Sequence, residues 1–365
     1  PAVGYHLKAI SVQRRMLAQL TSADKQFSPN LETAKPDVYY LILDAFAHTD
    51  TLKDIWKYDN SEFIDFLKDK GFHIVPEAFS NYDRTTLSVP SSLNMQYLDF
   101  IPEQLGIQWC DDTLNYRLMQ DNRVSRLFHK LGYKYVNVFS GWTPTEFVPT
   151  AEVNIIKNSG SYISMTLMLL TVVSGFEKYW PITLDSYAET RLVPFKYIDE
   201  IASIPGPKFV LIHSLLSHPP NIFDENGNKT QLSRATLNEL AVDGYLPQIK
   251  YCQKMVKKLV TSVLERPGPK PIIIIQSDHG PLFATGANQK RFYNENMRIL
   301  MALHFPDQQV EPQRLSPVNV FRLLFNTYFG TKLPLLPDRS FCGPPGDQLN
   351  QYHWKDVTNQ LEFAR

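Results

Sequence analysis

Cysteine, net charge and long hydrophobic runs are all scarce in this sequence, and each shortage excludes a class of protein. Lys plus Arg and Asp plus Glu both number 37, so the formal net charge is zero. A nucleic-acid-binding domain usually carries a basic excess, and we therefore expect no nucleic-acid partner. The three cysteines, Cys110, Cys252 and Cys342, form no CxxC pair. Their number and spacing argue against a zinc knuckle or a thioredoxin-like site and allow one disulfide bridge at most.

No hydrophobic run reaches the roughly 18–20 residues that a membrane-spanning helix requires. The nearest approach is the segment 162–176, YISMTLMLLTVVSGF. It predicts a buried helix, with a helix lying flat in the membrane interface as the alternative. The sequence also opens at Pro1 without a signal peptide, and we expect it to be part of a longer protein.

What the sequence does contain is a regular alternation of apolar and amphipathic segments. Hydrophobic residues make up 43% and charged residues 20%, which is typical of a chain that buries a core. Strands are predicted at 38–43, 133–139, 208–216, 271–276 and 297–305, and helices at 6–20, 50–58, 61–70, 124–131, 185–204, 244–264 and 316–329. This order predicts an α/β three-layer sandwich with a largely parallel central sheet. We expect one large domain over 36–340, a helical linker at 1–35 and a C-terminal extension at 341–365.

Two of the most apolar predicted strands each end in an acidic residue. Asp44 follows VYYLIL, and Asp278 follows PIIIIQS, with His279 and Gly280 directly after it. The carboxyl ends of parallel strands meet at one edge of an α/β sheet, where functional groups gather. A carboxylate there is costly unless it is paired or bound to a cation, and with an adjacent imidazole it can supply two ligands to one divalent metal. A structural role in a turn is the alternative for Asp44.

A hydroxyl-rich segment, residues 81–92 (NYDRTTLSVPSS), leads into a predicted helix. Free N–H groups and the helix dipole favour an anion such as phosphate at a helix N-terminus. A hydroxyl that binds a metal there would have a lowered pKa and could act as a nucleophile. The alternative is an ordinary loop that ends in an N-cap.

Two histidines, His213 and His218, lie at and just beyond the end of the strand predicted at 208–216. A histidine on a strand is more often packed in the core than functional, so His213 alone indicates little. His218 precedes two prolines, which make its loop rigid. That loop is at the same predicted edge as the two acidic residues, and His218 is therefore a candidate functional residue.

Taken in order, these segments resemble the alkaline phosphatase/sulfatase superfamily, and look closest to its membrane-anchored branch of lipoteichoic acid synthases and phosphoethanolamine transferases. The family pattern is a first strand ending in an acid, a nucleophile segment with threonine, a histidine loop and a strand ending in Asp-His-Gly. The chain has these in the family order at 38–44, 81–92, 213–220 and 272–280. The resemblance covers about 36–329 and implies an alkaline phosphatase-like fold.

The resemblance also implies a single divalent metal, Mn²⁺ or Zn²⁺, bound by Asp44, Thr85, Asp278 and His279. Thr85 would be the catalytic nucleophile as well as a ligand. It is chosen over Thr86 because TTLSVP matches the transferases' pattern of nucleophile-x-x-Ser-Val-Pro.

Three further residues are implied to act on the substrate. His218 matches the family histidine that binds the substrate or serves the leaving group, so it is expected to have a catalytic and a binding role. His213 is a candidate for substrate binding in the same loop. Arg84 is a candidate phosphate contact because of its charge and its position next to Thr85.

Departures from the family pattern reduce the number of activities that the resemblance implies. Sulfatases form their nucleophile from the Cys or Ser of C/S-x-P-x-R, which is missing around Thr85, so sulfate-ester hydrolysis is disfavoured. No Asp-x-x-x-His set accompanies His213 and His218, so we expect one essential metal instead of two. Asp44 stands where the transferases and synthases have glutamate, and the transferases' cysteine pairs around the nucleophile are missing. The subfamily therefore stays open.

The function implied is an enzyme that transfers a phospho-head group from a phosphodiester, such as a lipid head group, through a phospho-threonine intermediate. A metal-dependent phosphodiesterase, phosphatase or sulfatase-like hydrolase is the alternative, and a non-catalytic binding domain is the second alternative. The expected partner is a phospholipid or a phosphorylated envelope glycan at the extracytoplasmic face of the cytoplasmic membrane. Attachment to the membrane would come from segments outside this sequence, with 162–176 as an interfacial contact.

Overall fold

The computed structural model describes residues 2–24, 27–107, 111–156, 181–230, 244–281, 289–344 and 352–362. The helices are α1 (Ala2–Ala23), α2 (Thr49–Trp56), α3 (Ser61–Asp69), α4 (Thr85–Asn94), α5 (Phe100–Leu105), α6 (Thr113–Gln120), α7 (Arg123–Lys130), α8 (Thr143–Glu146), α9 (Pro181–Lys196), α10 (Ile198–Ser203), α11 (Tyr245–Leu264), α12 (Gln289–Met297) and α13 (Pro317–Phe329). The strands are β1 (Val38–Leu43), β2 (His73–Ile74), β3 (Lys134–Val138), β4 (Val153–Ile155), β5 (Lys208–Ser214), β6 (Ile272–Ser277), β7 (Met301–His304), β8 (Phe341–Cys342) and β9 (Lys355–Asp356).

The central sheet has seven strands in the order β2–β7–β6–β1–β5–β3–β4. The five strands from β6 to β4 run parallel to one another, and β7 is antiparallel to both of its neighbours. The first strand of the domain, β1, therefore lies in the middle of the sheet, between β5 and β6. This arrangement confirms the largely parallel sheet predicted from the alternating segments.

Both faces of the sheet are covered, because successive side chains of its central strands point to opposite sides. On one face, Leu41 and Ile275 pack against helices α3, α9 and α11. On the other face, Tyr40 and Ile274 pack against α4, α7 and α13. The result is the predicted three-layer sandwich, and it explains why β1 and β6 are apolar at every position.

The strand predicted at 297–305 is wrong in its bounds, and its direction was not predicted. Helix α12 extends to Met297, so that β7 begins only at Met301, and it runs antiparallel to β6. The helix predicted at 185–204 is broken at Tyr197 into α9 and α10. Continuous hydrophobicity marks burial but does not report strand direction or a one-residue break in a helix.

Both ends of the chain pack on the segment that leads into α4. Val12 and Met16 of α1 belong to the same hydrophobic cluster as Leu87 of α4 and Phe341 of β8. Phe341 also forms a backbone bridge with Tyr82. The boundaries at 35 and 340 stay predictions, but the residues on either side of them share this cluster.

In the described ranges, no helix is both long and apolar enough to cross a lipid bilayer. The segment 162–176, predicted as a buried or interfacial helix, lies outside the described residues. Cys252 and Cys342 are buried free thiols, and Cys110 lies outside the described residues. The structure thus excludes a bridge between the two described cysteines.

Candidate active site

Strands β1 and β6 are in register, so the residues that follow them meet at one edge of the sheet. Leu43, the last residue of β1, is paired with Ser277, the last residue of β6. Asp44 and Asp278 come directly after this pair. The backbone N–H of Asp44 donates to the carbonyl of Ser214 at the end of β5, with an N–O distance of 3.0 Å. The ends of three parallel strands therefore bring the predicted acidic residues together.

Asp44, Asp278 and His279 form a cluster of three candidate ligands whose atoms lie within 4.8 Å of one another. All three side chains are buried. Asp44 Oδ1 and Asp278 Oδ2 have no hydrogen-bond partner among the described residues, and His279 Nε2 lies 3.6 Å and 3.5 Å from them. Two unpaired carboxylate oxygens are costly in a dry interior, and a divalent cation would neutralise them. Two oxygens and one imidazole nitrogen suit Zn²⁺ or Mn²⁺.

The pKa values in this cluster are shifted by burial and by mutual charge. Burial, and then the negative charge of Asp44, raise the pKa of Asp278. Burial opposes the charged form of His279, but the two carboxylates outweigh it and raise the His279 pKa. Burial likewise opposes ionisation of Asp44, yet the charges of His218, His213 and His279 hold its pKa well below the ordinary value. The cluster is an electrostatically coupled group in which a cation would favour both carboxylates.

Asp278 is fixed by four hydrogen bonds from neighbouring segments. Its Oδ1 accepts from the backbone N–H groups of Ala45 and His279, at 3.1 Å and 2.9 Å. Its carbonyl oxygen accepts from the hydroxyl of Ser88 in α4, at 2.7 Å, and from the hydroxyl of Ser80. Because Oδ1 is occupied in this way, Oδ2 is the oxygen left to face the cluster.

The residue after His279 has to be glycine. A Cβ at Gly280 would lie 2.0 Å from the carbonyl oxygen of Glu295, which is far inside a normal contact. The N–H of Gly280 donates to the carbonyl of Asn296 at 2.7 Å. Its own carbonyl lies 2.7 Å from His279 Nδ1. Nδ1 therefore carries the proton of the neutral ring, and Nε2 keeps the lone pair that a metal requires.

Thr85 is the first residue of α4 and lies against this cluster. Its Oγ1 is 3.1 Å from His279 Nε2 and 3.5 Å from Asp44 Oδ2. The first backbone bonds of the helix are donated by Leu87 and Ser88 to the carbonyl of Arg84. The N–H of Thr85 itself thus points out of the helix start, where an anion is favoured. The structure thus brings Thr85 next to the three candidate ligands, and their roles stay predictions.

His213 contacts the cluster from the side of β5. Its Nε2 lies 3.2 Å from Asp44 Oδ2, and its Nδ1 lies 2.8 Å from the hydroxyl of Thr145. This arrangement fits a ring that donates to the carboxylate and accepts from the threonine. The ring also meets the edge of Trp142, with centroids 5.4 Å apart. His213 orients Asp44, and its predicted role in substrate binding stays a prediction.

His218 lies in a loop that is held by a buried arginine. Arg191 of α9 donates to the carbonyls of His218, Pro219 and Pro220, at 2.6 Å, 3.2 Å and 2.9 Å. Gln248 of α11 also donates to the His218 carbonyl, at 3.3 Å. Burial lowers the pKa of His218, while the charge of Asp44 opposes that shift and the charge of Arg191 adds to it.

Arg84 lies at the N-cap of α4, and its guanidinium is paired with the neighbouring Asp83. Its Nε is 3.1 Å from Asp83 Oδ1, and its Nη2 is 3.4 Å from Asp83 Oδ2. Asp83 in turn accepts from the backbone N–H of Gly343 at 2.9 Å. The guanidinium is thus paired next to the C-terminal extension, and its predicted contact with phosphate stays a prediction.

Several residues that support the site were not singled out from the sequence. Thr145 fixes His213, Ser88 fixes Asp278, and Arg191 with Gln248 fixes the loop of His218. Arg191 is only 1% exposed. A fully buried arginine in a helix is uncommon, but an isolated arginine in a sequence gives no sign of its burial.

The sequence and the fold were compared with known proteins. The model of the sulfatase family matches residues 36–328, whereas no curated protein matches the sequence. The fold is similar to the C-terminal periplasmic domain of EcEptC from Escherichia coli, solved in complex with Zn. That match has a TM-score of 0.61, 12% identity, and covers 93% of this chain and 96% of that one.

Two further solved structures share the fold. One is the integral membrane protein lipooligosaccharide phosphoethanolamine transferase A (EptA) from Neisseria meningitidis, with a TM-score of 0.50, 11% identity, and coverage of 85% of this chain and 60% of that one. The other is BT1596, a 2-O GAG sulfatase, with a TM-score of 0.52, 15% identity, and coverage of 85% and 77%. At such identities these likenesses concern the fold alone. The family match spans the strand ends, the start of α4 and the histidine loop described above, and the chain belongs to the sulfatase family of enzymes.

Proposed function

We propose that this domain transfers a phospho-head group from a phosphodiester, such as a lipid head group, through a covalent intermediate on Thr85. The observation that carries the proposal is the position of Thr85 Oγ1, 3.1 Å from His279 Nε2 at the edge of the ligand cluster. A threonine cannot be converted to the formylglycine that sulfatases use. The nucleophile therefore favours phosphoryl chemistry over sulfate-ester hydrolysis.

The residues present fit one divalent metal, because two buried carboxylate oxygens without partners face an imidazole nitrogen. Asp44, Asp278 and His279 would hold it, with Thr85 as a fourth ligand. When bound, such an ion lowers the pKa of a coordinated hydroxyl and neutralises charge on the phosphate oxygens. The Zn complex of the EcEptC domain, which has the same fold, supports this part of the proposal.

The chain's own groups account for the covalent step. The Thr85 hydroxyl gives up its proton to solvent and its oxygen attacks phosphorus, so that the new O–P bond forms while the bond from phosphorus to the leaving alcohol breaks. The N–H of Thr85 at the start of α4 lies where negative charge develops on the phosphoryl group. A second alcohol then attacks the phospho-threonine and restores the free hydroxyl.

His218 is proposed to protonate the leaving alcohol. Burial lowers the pKa of His218, and a lowered pKa makes a protonated imidazole a stronger acid. Its Nδ1 contacts the carbonyl of Pro219, which fixes the orientation of the ring. Arg191 holds that loop in place through its three carbonyl contacts.

The proposed setting is the extracytoplasmic face of the cytoplasmic membrane, with a phospholipid or a phosphorylated envelope glycan as substrate. The likeness to a periplasmic domain and to a lipooligosaccharide phosphoethanolamine transferase supports it. Hydrolysis is the second candidate, because the chain also shares its fold with a GAG sulfatase. The two differ only in whether an alcohol or water attacks the intermediate.

The test uses the domain loaded in turn with Mn²⁺ and Zn²⁺, and phosphatidylethanolamine or phosphatidylglycerol labelled in the head group. Mass spectrometry of the quenched reaction should find the phospho-head group on the peptide that contains Thr85, and not in Thr85→Ala. Label that moves to an added glycan or lipid acceptor indicates transfer, and label released as free phospho-head group indicates hydrolysis. Modification of Thr86 instead, or turnover by Thr85→Ala at the wild-type rate, would refute the nucleophile.

A further inference from the structure

A cavity of about 600 Å³ lies at the other end of helix α4 from Thr85. We call it the Arg322 cavity. Its lining combines three cationic side chains with apolar and hydroxyl groups, which include Arg123, Arg322, Lys332, Phe27, Ser28 and Leu333. No carboxylate is among its lining residues. Its size falls in the range of small-molecule sites.

Arg322 is the deepest of the three cations, with only 7% of its surface exposed. Its Nε and Nη2 donate to the carbonyl of Met95, at 3.1 Å and 2.7 Å, and its Nη1 donates to the carbonyl of Pro334 at 2.7 Å. Those acceptors are neutral, and within the described ranges the guanidinium makes no salt bridge. Burial and the charge of Arg123 lower the Arg322 pKa to about 10. A buried charge without a counter-ion is costly.

Arg123, the second cation of the cavity, belongs to a small network of ion pairs. Its Nε lies 3.0 Å from Asp24 Oδ1, but the other oxygen of Asp24 is 2.7 Å from Arg126 Nε. Arg126 is also paired with Asp121, at 2.8 Å between Nη1 and Oδ1, so two carboxylates balance these two guanidiniums. Lys332 is exposed and forms no salt bridge with any described residue, so Arg322 and Lys332 are the lining cations that no described carboxylate neutralises.

We propose that the Arg322 cavity binds a phosphate group. A guanidinium offers five N–H donors, and three on Arg322 are used, so donors remain for a tetrahedral anion together with those of Arg123 and Lys332. Ser28 adds a hydroxyl, and Phe27 and Leu333 add an apolar wall beside the cations. The proposal is independent of the reaction proposed for Thr85. A free phosphate ester and a phospholipid head group share this chemistry, and the experiment distinguishes them.

The test compares the double variant Arg123→Gln/Lys332→Gln with a matched control, Lys290→Gln/Arg314→Gln. The control removes two cations that pair with Glu362 and Glu77 away from the cavity. Binding of inorganic phosphate is measured by equilibrium dialysis with the full domain. The same measurement is made with the Asp278→Asn variant. This change removes phosphate binding at the metal cluster, so the binding that remains is assigned to the Arg322 cavity.

A second arm uses vesicles of neutral galactolipid with and without phosphatidylglycerol, in a sedimentation assay. The proposal expects the cavity variant to bind phosphate, or the phosphatidylglycerol vesicles, at least about tenfold more weakly than the control variant. Loss of phosphate binding identifies a soluble ligand, and loss of vesicle binding alone identifies a lipid head group. Equal binding by both variants in both arms overturns the proposal. If the double variant does not fold, Lys332→Gln at its exposed position gives the same comparison with a smaller change.

Discussion

The two ends of helix α4 carry opposite electrostatic problems. At its N-terminus, Thr85 meets two buried carboxylates, each with one oxygen that has no hydrogen-bond partner among the described residues. At its C-terminus, the carbonyl of Met95 accepts from Arg322, a buried guanidinium that forms no salt bridge with any residue the structure describes. Both charges agree with the dipole of the helix. The free N–H groups at the N-terminus favour negative charge nearby, and the carbonyls at the C-terminus favour positive charge nearby.

The difference lies in what would complete each end. The first end needs a cation among ligands supplied by β1 and β6, which are central strands fixed in register. The second end needs an anion, and its donors come from α7, α13 and the segment after α13. Both ends thus contain buried charge that the described residues do not neutralise. The negative charge lies at the edge of the central sheet, and the positive charge lies among helices and a loop.

The largest expected effect is at the first end, with Thr85→Ala. Turnover of the labelled phosphodiester should fall at least about a thousandfold, because the attacking oxygen is removed. Melting temperature and metal content should stay close to those of wild type, since the three other ligands remain. Thr86→Ala is the matched control and should keep most of the activity.

Asp278→Asn should come next, and it separates metal binding from folding. Metal affinity should fall about 10²- to 10³-fold, because a carboxylate ligand becomes a neutral amide. In the metal-free state, however, the variant should be more stable than wild type, since one of two adjacent buried carboxylates is gone. Bound metal is measured by elemental analysis, and stability is measured by urea unfolding after chelation.

The control for that experiment is Asp338→Asn, at a carboxylate that accepts from Ser316 and Asn319 and pairs with Arg314 at 3.9 Å, away from the cluster. It should change neither metal content nor the order of stabilities. If metal-free Asp278→Asn is clearly less stable than metal-free wild type, repulsion between Asp44 and Asp278 does not destabilise the metal-free protein, and the prediction is wrong.

At the second end, Arg322→Lys tests the cap and keeps the charge. The two donors to Met95 and the one to Pro334 cannot all be replaced by one ammonium. The free energy of unfolding should therefore fall by about 2 kcal/mol, with turnover nearly unchanged. Chemical denaturation measures the free energy of unfolding, and the phosphodiester assay measures turnover. A large loss of turnover together with the loss of stability would mean that the C-terminal end of α4 also affects the candidate active site.

The smallest change is expected for Ser88→Ala, between the two ends. The variant loses one hydrogen bond to the Asp278 carbonyl, while Ser80 keeps the other, so stability should drop by about 1 kcal/mol. Ser92→Ala is the comparison, because the Ser92 hydroxyl bonds to the carbonyl of Ser88 and to Tyr40 and not to Asp278. Metal affinity should weaken in Ser88→Ala and stay constant in Ser92→Ala.

The sequence predicted the residues at the N-terminal end of α4 but gave no indication of the Arg322 cavity at the C-terminal end. Asp44, Asp278 and His279 each follow a continuous apolar run, and parallel strands deliver such residues to one edge, so a local pattern predicted a long-range cluster. Thr85 came from the family resemblance, and the structure places it beside that cluster.

The second end could not be found in this way. Arg123, Arg322 and Lys332 are ordinary charged residues in their local segments, at the start of α7, within α13 and just after α13. Only tertiary packing reveals that Arg322 is buried without a carboxylate. The direction of β7 and the holding of the His218 loop by Arg191 were missed for the same reason, because both depend on partners distant in sequence.

The hydroxyl of Ser88 has a consequence for the time course of catalysis. It ties the helix that begins with Thr85 to the backbone of the strand end that carries Asp278 and His279. Thr85, the proposed nucleophile, is therefore coupled to the two candidate ligands Asp278 and His279, and we expect their spacing to be established when the protein folds. We expect no lag before the first turnover once metal and substrate are present, since no closure of α4 onto the ligands has to precede the chemistry.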